Sequence, residues 1–155
     1  MSEARDDLRN WAEENSALRS EYRRGGMTVI IAGSRTITDP AIVDTAIKDS
    51  GFSITKVLSG GATGVDMQGE LWAKQNGIPF DRVRPPYGRG IAPKLAPKIR
   101  NWAMAVEADA LVAVWDGFSG GAAHMIATMI LLKKPVWITK PPEEEGRTDD
   151  QSSPI

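Results

Sequence analysis

Three short glycine-bearing stretches carry residue types that could hold a phosphate. The first reads Ala32-Gly33-Ser34-Arg35. The second reads Ser59-Gly60-Gly61-Ala62-Thr63-Gly64-Val65-Asp66, and the third Asp116-Gly117-Phe118-Ser119-Gly120-Gly121-Ala122-Ala123-His124. Glycine lets backbone N–H groups approach a ligand closely, and a helix N-terminus favours negative charge. Arg35, Arg89 and Arg100 could add planar forks of donors that match a phosphate. Asp66 could accept from a ribose hydroxyl, or reach back to the helix start in a Thr-x-x-Asp capping box with Thr63. Asp116 could bind a sugar hydroxyl or cap its own turn. Ser119, Gly120 and Gly121 read as an N-cap and the exposed N–H groups of a phosphate seat, or as a tight turn of small residues. His124, one turn further on, could reach a bound ligand or serve structure alone. Tyr87, between Pro86 and Gly88, could stack on a base. Lys94 and Lys98 lie one helical turn apart, where a solvated face explains them equally well.

Such stretches function only if something holds them together, and the intervening sequence supplies it. Apolar strand patterns cover residues 28–32, 56–59, 78–83, 110–115 and 135–139, and helical patterns cover 40–49, 63–75, 93–107 and 120–132. Asp39-Pro40 reads as an N-cap followed by proline at the first helical position, and Gly51 as the helix stop. Residues 110–115 are continuously apolar, as in a strand buried on both faces. Trp72, Trp102, Trp115 and Trp137 fall in helices and strands, where core packing is the ordinary role. Strands alternating with helices predict right-handed βαβ units. The expected fold is α/β: a Rossmann-like, doubly wound parallel sheet of about five strands with helices on both faces. Each glycine stretch then follows a strand at its carboxyl end, where open α/β sheets bind ligands. Residues 1–26 read as a helical extension, with Leu8, Trp11, Leu18 and Tyr22 forming one narrow stripe. That stripe packs on the domain's own flank or docks on a second subunit. Residues 27–140 form the nucleotide-binding domain, and the polar tail, 141–155, is expected to be disordered.

Composition excludes several classes of chemistry. With no cysteine, disulfides and thiolate nucleophiles are ruled out, and a single histidine leaves no His cluster for a metal. A net charge of −1 gives no bulk attraction to nucleic acid. No apolar run reaches membrane-spanning length, and the charged start does not suit a signal peptide, so a cytoplasmic protein is expected.

The motifs Gly33-Ser34-Arg35, Ser59-Gly60-Gly61-Ala62-x-Gly64-x-Asp66, Tyr87-Gly88-Arg89, Arg100-Asn101-x-x-Met104 and Trp115-Asp116-Gly117-x-Ser119-x-Gly121, in this order, resemble the SLOG superfamily. Within it the chain is most similar to the YspA-like, YpsA-related branch. The resemblance runs from Met27 to Thr139. It implies a Rossmann-like domain that binds nucleotides or their derivatives, often as a dimer or larger oligomer. Among relatives of that kind, LOG enzymes split nucleoside monophosphates into base and ribose phosphate, and DprA proteins bind single-stranded DNA. The residues it implies as ligand contacts are Gly33, Ser34, Arg35, Gly60, Gly61, Gly64, Asp66, Arg100, Asn101, Asp116, Ser119, Gly120 and Gly121. One departure matters: where LOG enzymes have a glutamate after the third turn, this chain has Met125, which can neither handle ribose hydroxyls nor stabilise a cation.

An intact set of phosphate turns beside a missing catalytic glutamate favours a sensor or sequestering protein for a nucleotide-derived small molecule, with no cofactor and no metal. Two alternatives stay open. One is a phosphoribohydrolase using Asp66 or Asp116 with Arg100. The other is single-stranded DNA binding through Arg84, Arg89, Lys94, Lys98 and Arg100, against which the near-zero charge argues. A homodimer or larger assembly is expected.

Overall fold

Alternation of side chains along two central strands creates two cores. The structure, a computed structural model, describes residues 26–142. Strand β1 (Met27–Gly33) lies between β2 (Ile54–Ser59) and β4 (Ala110–Val114), and the sheet is completed by β3 (Phe80–Arg82) and β5 (Val136–Thr139). All four neighbouring pairs are parallel, and the order is β3-β2-β1-β4-β5. Successive residues of a strand point to opposite faces. Val29 and Ile31 therefore join Val57, Val112 and Val114 on one side, while Ile30 joins Leu58, Leu111 and Ala113 on the other.

Helices α1 (Pro40–Ser50) and α2 (Val65–Gln75) cover the first face, and α3 (Ala96–Glu107) and α4 (Gly120–Leu131) the second. The fold is thus a doubly wound Rossmann-like α/β sheet. Burying each Ile or Val of these cores is worth about 1.5–3 kcal/mol. Helix α1 starts as its sequence dictates: the Asp39 side chain accepts from Ala41 N at 3.0 Å, and Pro40 opens the helix. It stops at Gly51, whose left-handed backbone (φ 71°) returns its N–H to Lys48 O.

Most boundaries differ from expectation by one to three residues, β2 beginning at Ile54 rather than residue 56, for example, and three of the shifts have a local reason. Helix α3 begins at Ala96 rather than residue 93, because Pro97 lacks an N–H and fits only the first turn. β3 begins at Phe80 rather than residue 78, because Pro79 has no N–H for the ladder; its carbonyl still accepts from Val57 N. Helix α2 begins at Val65, capped by Gly64 with no side-chain cap bond. Two tryptophans also leave the core: Trp102, on the outer side of α3, and Trp137, on the edge strand β5, are 50% and 38% exposed. The expected helical extension and almost all of the expected tail lie outside the described residues.

Lys134 fixes the end of α3. Its ammonium donates to the carbonyls of Ala105, Val106 and Ala108 at 2.7–2.9 Å, where the helix dipole also favours a cation. This anchors the helix that carries Arg100.

Candidate functional site

The strand order reverses between β1 and β4, and a crevice opens there beyond their carboxyl ends. The two strands run so close that a Cβ on Gly33 would collide with the Val114 carbonyl. Ser34 then ties the loops together. Its N–H donates to Val114 O at 3.0 Å, its hydroxyl accepts from Asp116 N at 3.0 Å, and its carbonyl accepts from Val65 N at 3.2 Å. One buried serine thus joins the first turn to the third turn and to the start of α2. Gly64 completes the junction: its φ of 82° suits only glycine, and a Cβ there would strike the carbonyls of Ser34 and Arg35.

All three glycine stretches line one cavity of about 260 Å³. Gly33 and Arg35 come from the first, Gly60, Ala62 and Asp66 from the second, and Ser119, Gly120 and Gly121 from the third. Helix α3 adds Arg100 and Asn101. The apolar floor is Ala32, Met104, Ala122 and Met125. Met125, standing where a glutamate was the alternative, is buried in that floor.

Arg100 is the central cation. Its Nη1 donates to Gly60 O at 2.8 Å and Val83 O at 3.3 Å, and its Nε to Asn101 Oδ1 at 3.0 Å. These partners are neutral; among the described residues no carboxylate forms an ion pair with it. Burial lowers its pKa, the charges of Asp66 and Tyr87 act the other way, and the nearby cation Arg35 adds to the lowering. Arg35, itself exposed, lines the same cavity and is the weakest of these influences on Arg100.

Asp66 sits opposite Arg100, with Gly60 between them. A Cβ on Gly60 would stand 2.9 Å from Asp66 Oδ2 and 3.0 Å from Arg100 Nη1. Burial pushes the Asp66 carboxyl up to about 6, against a hydrogen bond from Ala62 N and the charge of Arg100. The capping box with Thr63 does not form: the carboxylate takes the Ala62 N–H instead, at 3.2 Å. Asp116 turns its carboxylate to its own loop, where Oδ1 accepts from Phe118 N at 2.7 Å and Ser119 N at 3.0 Å. Those bonds hold its pKa below the usual carboxylate value.

Asn101 links α3 to α4. Because Arg100 Nε can only donate, Oδ1 of Asn101 faces it. Nδ2 therefore points to Gly121 O at 3.4 Å and to His124 Nδ1 at 3.1 Å. That assigns Nδ1 of His124 as acceptor and places its proton on Nε2. Burial, and then the charge of Lys98, lower the His124 pKa, which agrees with a neutral ring.

Several expected contacts stand outside the cavity lining: Ser34, Gly61, Gly64, Tyr87, Arg89, Asp116 and His124. Ser34 and Gly64 are buried joints, and Asp116 and His124 brace lining residues. Gly61 faces Arg82, while Tyr87 is more than half exposed on its loop.

Sequence reasoning missed one brace altogether. Buried Glu70 accepts from Ser59 Oγ at 2.6 Å and from Arg82 through Nε at 2.9 Å and Nη2 at 2.6 Å, while Ser59 Oγ accepts from Gly61 N at 3.0 Å. Burial pushes the Glu70 carboxyl up, and the Arg82 and Ser59 hydrogen bonds more than offset it. The signal was available: Asp66 and Glu70 are four apart, on one face of α2.

No family model matches the chain, and no curated protein matches it. Among solved structures, it is similar in fold to DNA processing protein A (DprA) from Streptococcus pneumoniae, with a TM-score of 0.60 and 18% identity. The likeness covers 79% of this chain and 52% of that one, so the chain spans about half the length of that protein. At that identity the likeness carries the fold, and it agrees with the SLOG resemblance at that level. Among the described residues no helix is long and apolar enough to cross a membrane, and no three histidine or acidic side chains gather as metal ligands.

Proposed function

We propose that the cavity binds the phosphate of a nucleotide-derived small molecule, and that the chain is a sensor or sequestering protein of the YspA-like branch of the SLOG superfamily. The observation that carries this reading is Arg100: a half-buried cation on a cavity wall whose hydrogen bonds all go to neutral groups, with Asp66 and a second arginine, Arg35, lining the same space. An anion in that space would replace lost solvation. The N–H groups at the start of α4 line the same space, where a phosphate gains from the helix dipole. Burial pushes the Asp66 carboxyl up to about 6, so it opposes an anion less below that pH than at pH 7 and above.

The test is thermal stability of the full chain with ribonucleoside monophosphates, ADP-ribose and cyclic nucleotides. A ligand at a hundred times its Kd adds about 2.7 kcal/mol. The Arg100→Ala variant should fold and lose that gain. If a well-folded wild type is stabilised by none of these compounds, the reading fails.

One observation favours hydrolysis as a second reading. A carboxyl whose pKa lies near 6 suits a general acid, and Asp66 lines the cavity. Asp116 is a poorer candidate because its carboxylate is engaged in the turn. Release of free base from nucleoside monophosphates, abolished by Asp66→Asn, would establish turnover. The name of the DprA protein ties this fold to DNA processing, so nucleic acid is a third ligand class to assay. A cytoplasmic homo-oligomer fits the proposed role.

A further inference from the structure

The cavity's volume, about 260 Å³, falls just short of the roughly 300–1,000 Å³ that encloses a drug-sized ligand. A phosphate and sugar would use most of it, so the remainder of a nucleotide must emerge at the rim. Phe118 immediately precedes Ser119 of the cavity wall on the loop that enters α4, and is 89% exposed, more than any other large apolar side chain described. Its exposure contributes nothing to folding.

The loop beneath it is nevertheless tightly fixed. Asp116 N donates to Ser34 Oγ, Phe118 N and Ser119 N donate to Asp116 Oδ1, and Trp115 Nε1 donates to Ser119 O at 3.0 Å. Gly117, with φ of 93°, makes the bend. Four hydrogen bonds therefore hold in place the backbone that presents an aromatic ring to water next to an anion site. Such a ring offers a stacking face to any flat heterocycle leaving the cavity.

Resting on the phosphate site proposed above, we infer that Phe118 is the platform for the base of the bound nucleotide and sets how strongly the site prefers a nucleotide to its sugar phosphate. The experiment measures Kd of the full chain for the four ribonucleoside 5′-monophosphates and for ribose 5-phosphate, in wild type, Phe118→Ala and Phe118→Tyr. Wild type should bind at least one monophosphate more tightly than ribose 5-phosphate. Phe118→Ala should weaken that nucleotide roughly 5- to 150-fold, the range expected for loss of one base–aromatic stack, and leave ribose 5-phosphate within about twofold. Phe118→Tyr, which keeps a ring, should restore the nucleotide to within about threefold. If Phe118→Ala leaves nucleotide affinity unchanged, or weakens both probes equally, the platform role is overturned while the phosphate site stands. If the alanine variant loses only a thymidine oligonucleotide, the ring serves nucleic acid and the inference is wrong. If wild type binds neither probe, the platform inference is overturned, and the phosphate site falls as well if ADP-ribose and cyclic nucleotides also fail to stabilise the chain.

Discussion

Replacing Gly120 with alanine should make the protein more stable and a worse binder at once. Gly120 opens α4 with an ordinary helical backbone, and a Cβ built on it meets no protein atom within 4 Å. Alanine there restricts the unfolded chain and strains nothing, a gain of about 0.4–1 kcal/mol. In a chain of this size that corresponds to a rise in Tm of roughly 1–4 °C. Gly120 lines the cavity, so the methyl stands beside the amides that the anion would approach. Losing one hydrogen bond to a charged group costs about 1.5–3 kcal/mol, so affinity should fall roughly 10- to 150-fold. At a concentration that gives wild type about 2.7 kcal/mol, a hundredfold weaker variant keeps only about 0.4 kcal/mol. Differential scanning calorimetry of both proteins, with and without the best nucleotide, measures all four states. A lower Tm for the empty variant would show that the backbone at Gly120 needs glycine. An undiminished ligand shift would show that the phosphate does not sit there.

Asp66→Asn should stabilise the protein in a pH-dependent way. The folded carboxyl titrates near 6 against an unfolded value of 3.8, so the folded state holds the proton longer and stability falls as pH rises from about 4 to about 6. Above that the wild type carries a penalty of about 3 kcal/mol that asparagine lacks. Urea midpoints at pH 4, 6 and 8 should show the gain growing with pH; an equal effect at all three would refute the assignment. Ser34→Ala leaves the Asp116 N–H without its acceptor and should cost about 1–3 kcal/mol in urea unfolding, with ligand affinity falling as the third turn loosens. A loss of stability with affinity intact would separate the joint from the site.

The sheet was legible because its signals are local. Asp39-Pro40 and Gly51 bracket α1 within a dozen residues, and the unbroken apolar run of β4 announces a strand covered on both faces. Arg100 was legible by position, since it precedes an apolar helical stretch and follows a basic loop. Its partners were not, because Gly60 lies forty residues away and only the packing of α3 against the second turn brings them together. The same holds for Ser34 and Asp116, separated by 82 positions. Glu70 was passed over because a glutamate in a helix usually faces water. Arg82 arriving from β3 and Ser59 at the end of β2 make its burial tolerable. The tryptophans erred in the opposite direction: an apolar residue in a helix or strand need not face inward, and among the described residues nothing pairs with the outer edge of β5.

Ser34 has one more implication, for kinetics. With a single residue holding the mouths of two strands and the head of a helix in mutual register, the proposed site is already shaped before any guest arrives. Little ordering entropy is left to be lost on association, so a preformed cradle of this kind favours capture limited by encounter over capture limited by rearrangement. Stopped-flow traces should then be single-exponential, with rates rising linearly with ligand concentration and no plateau.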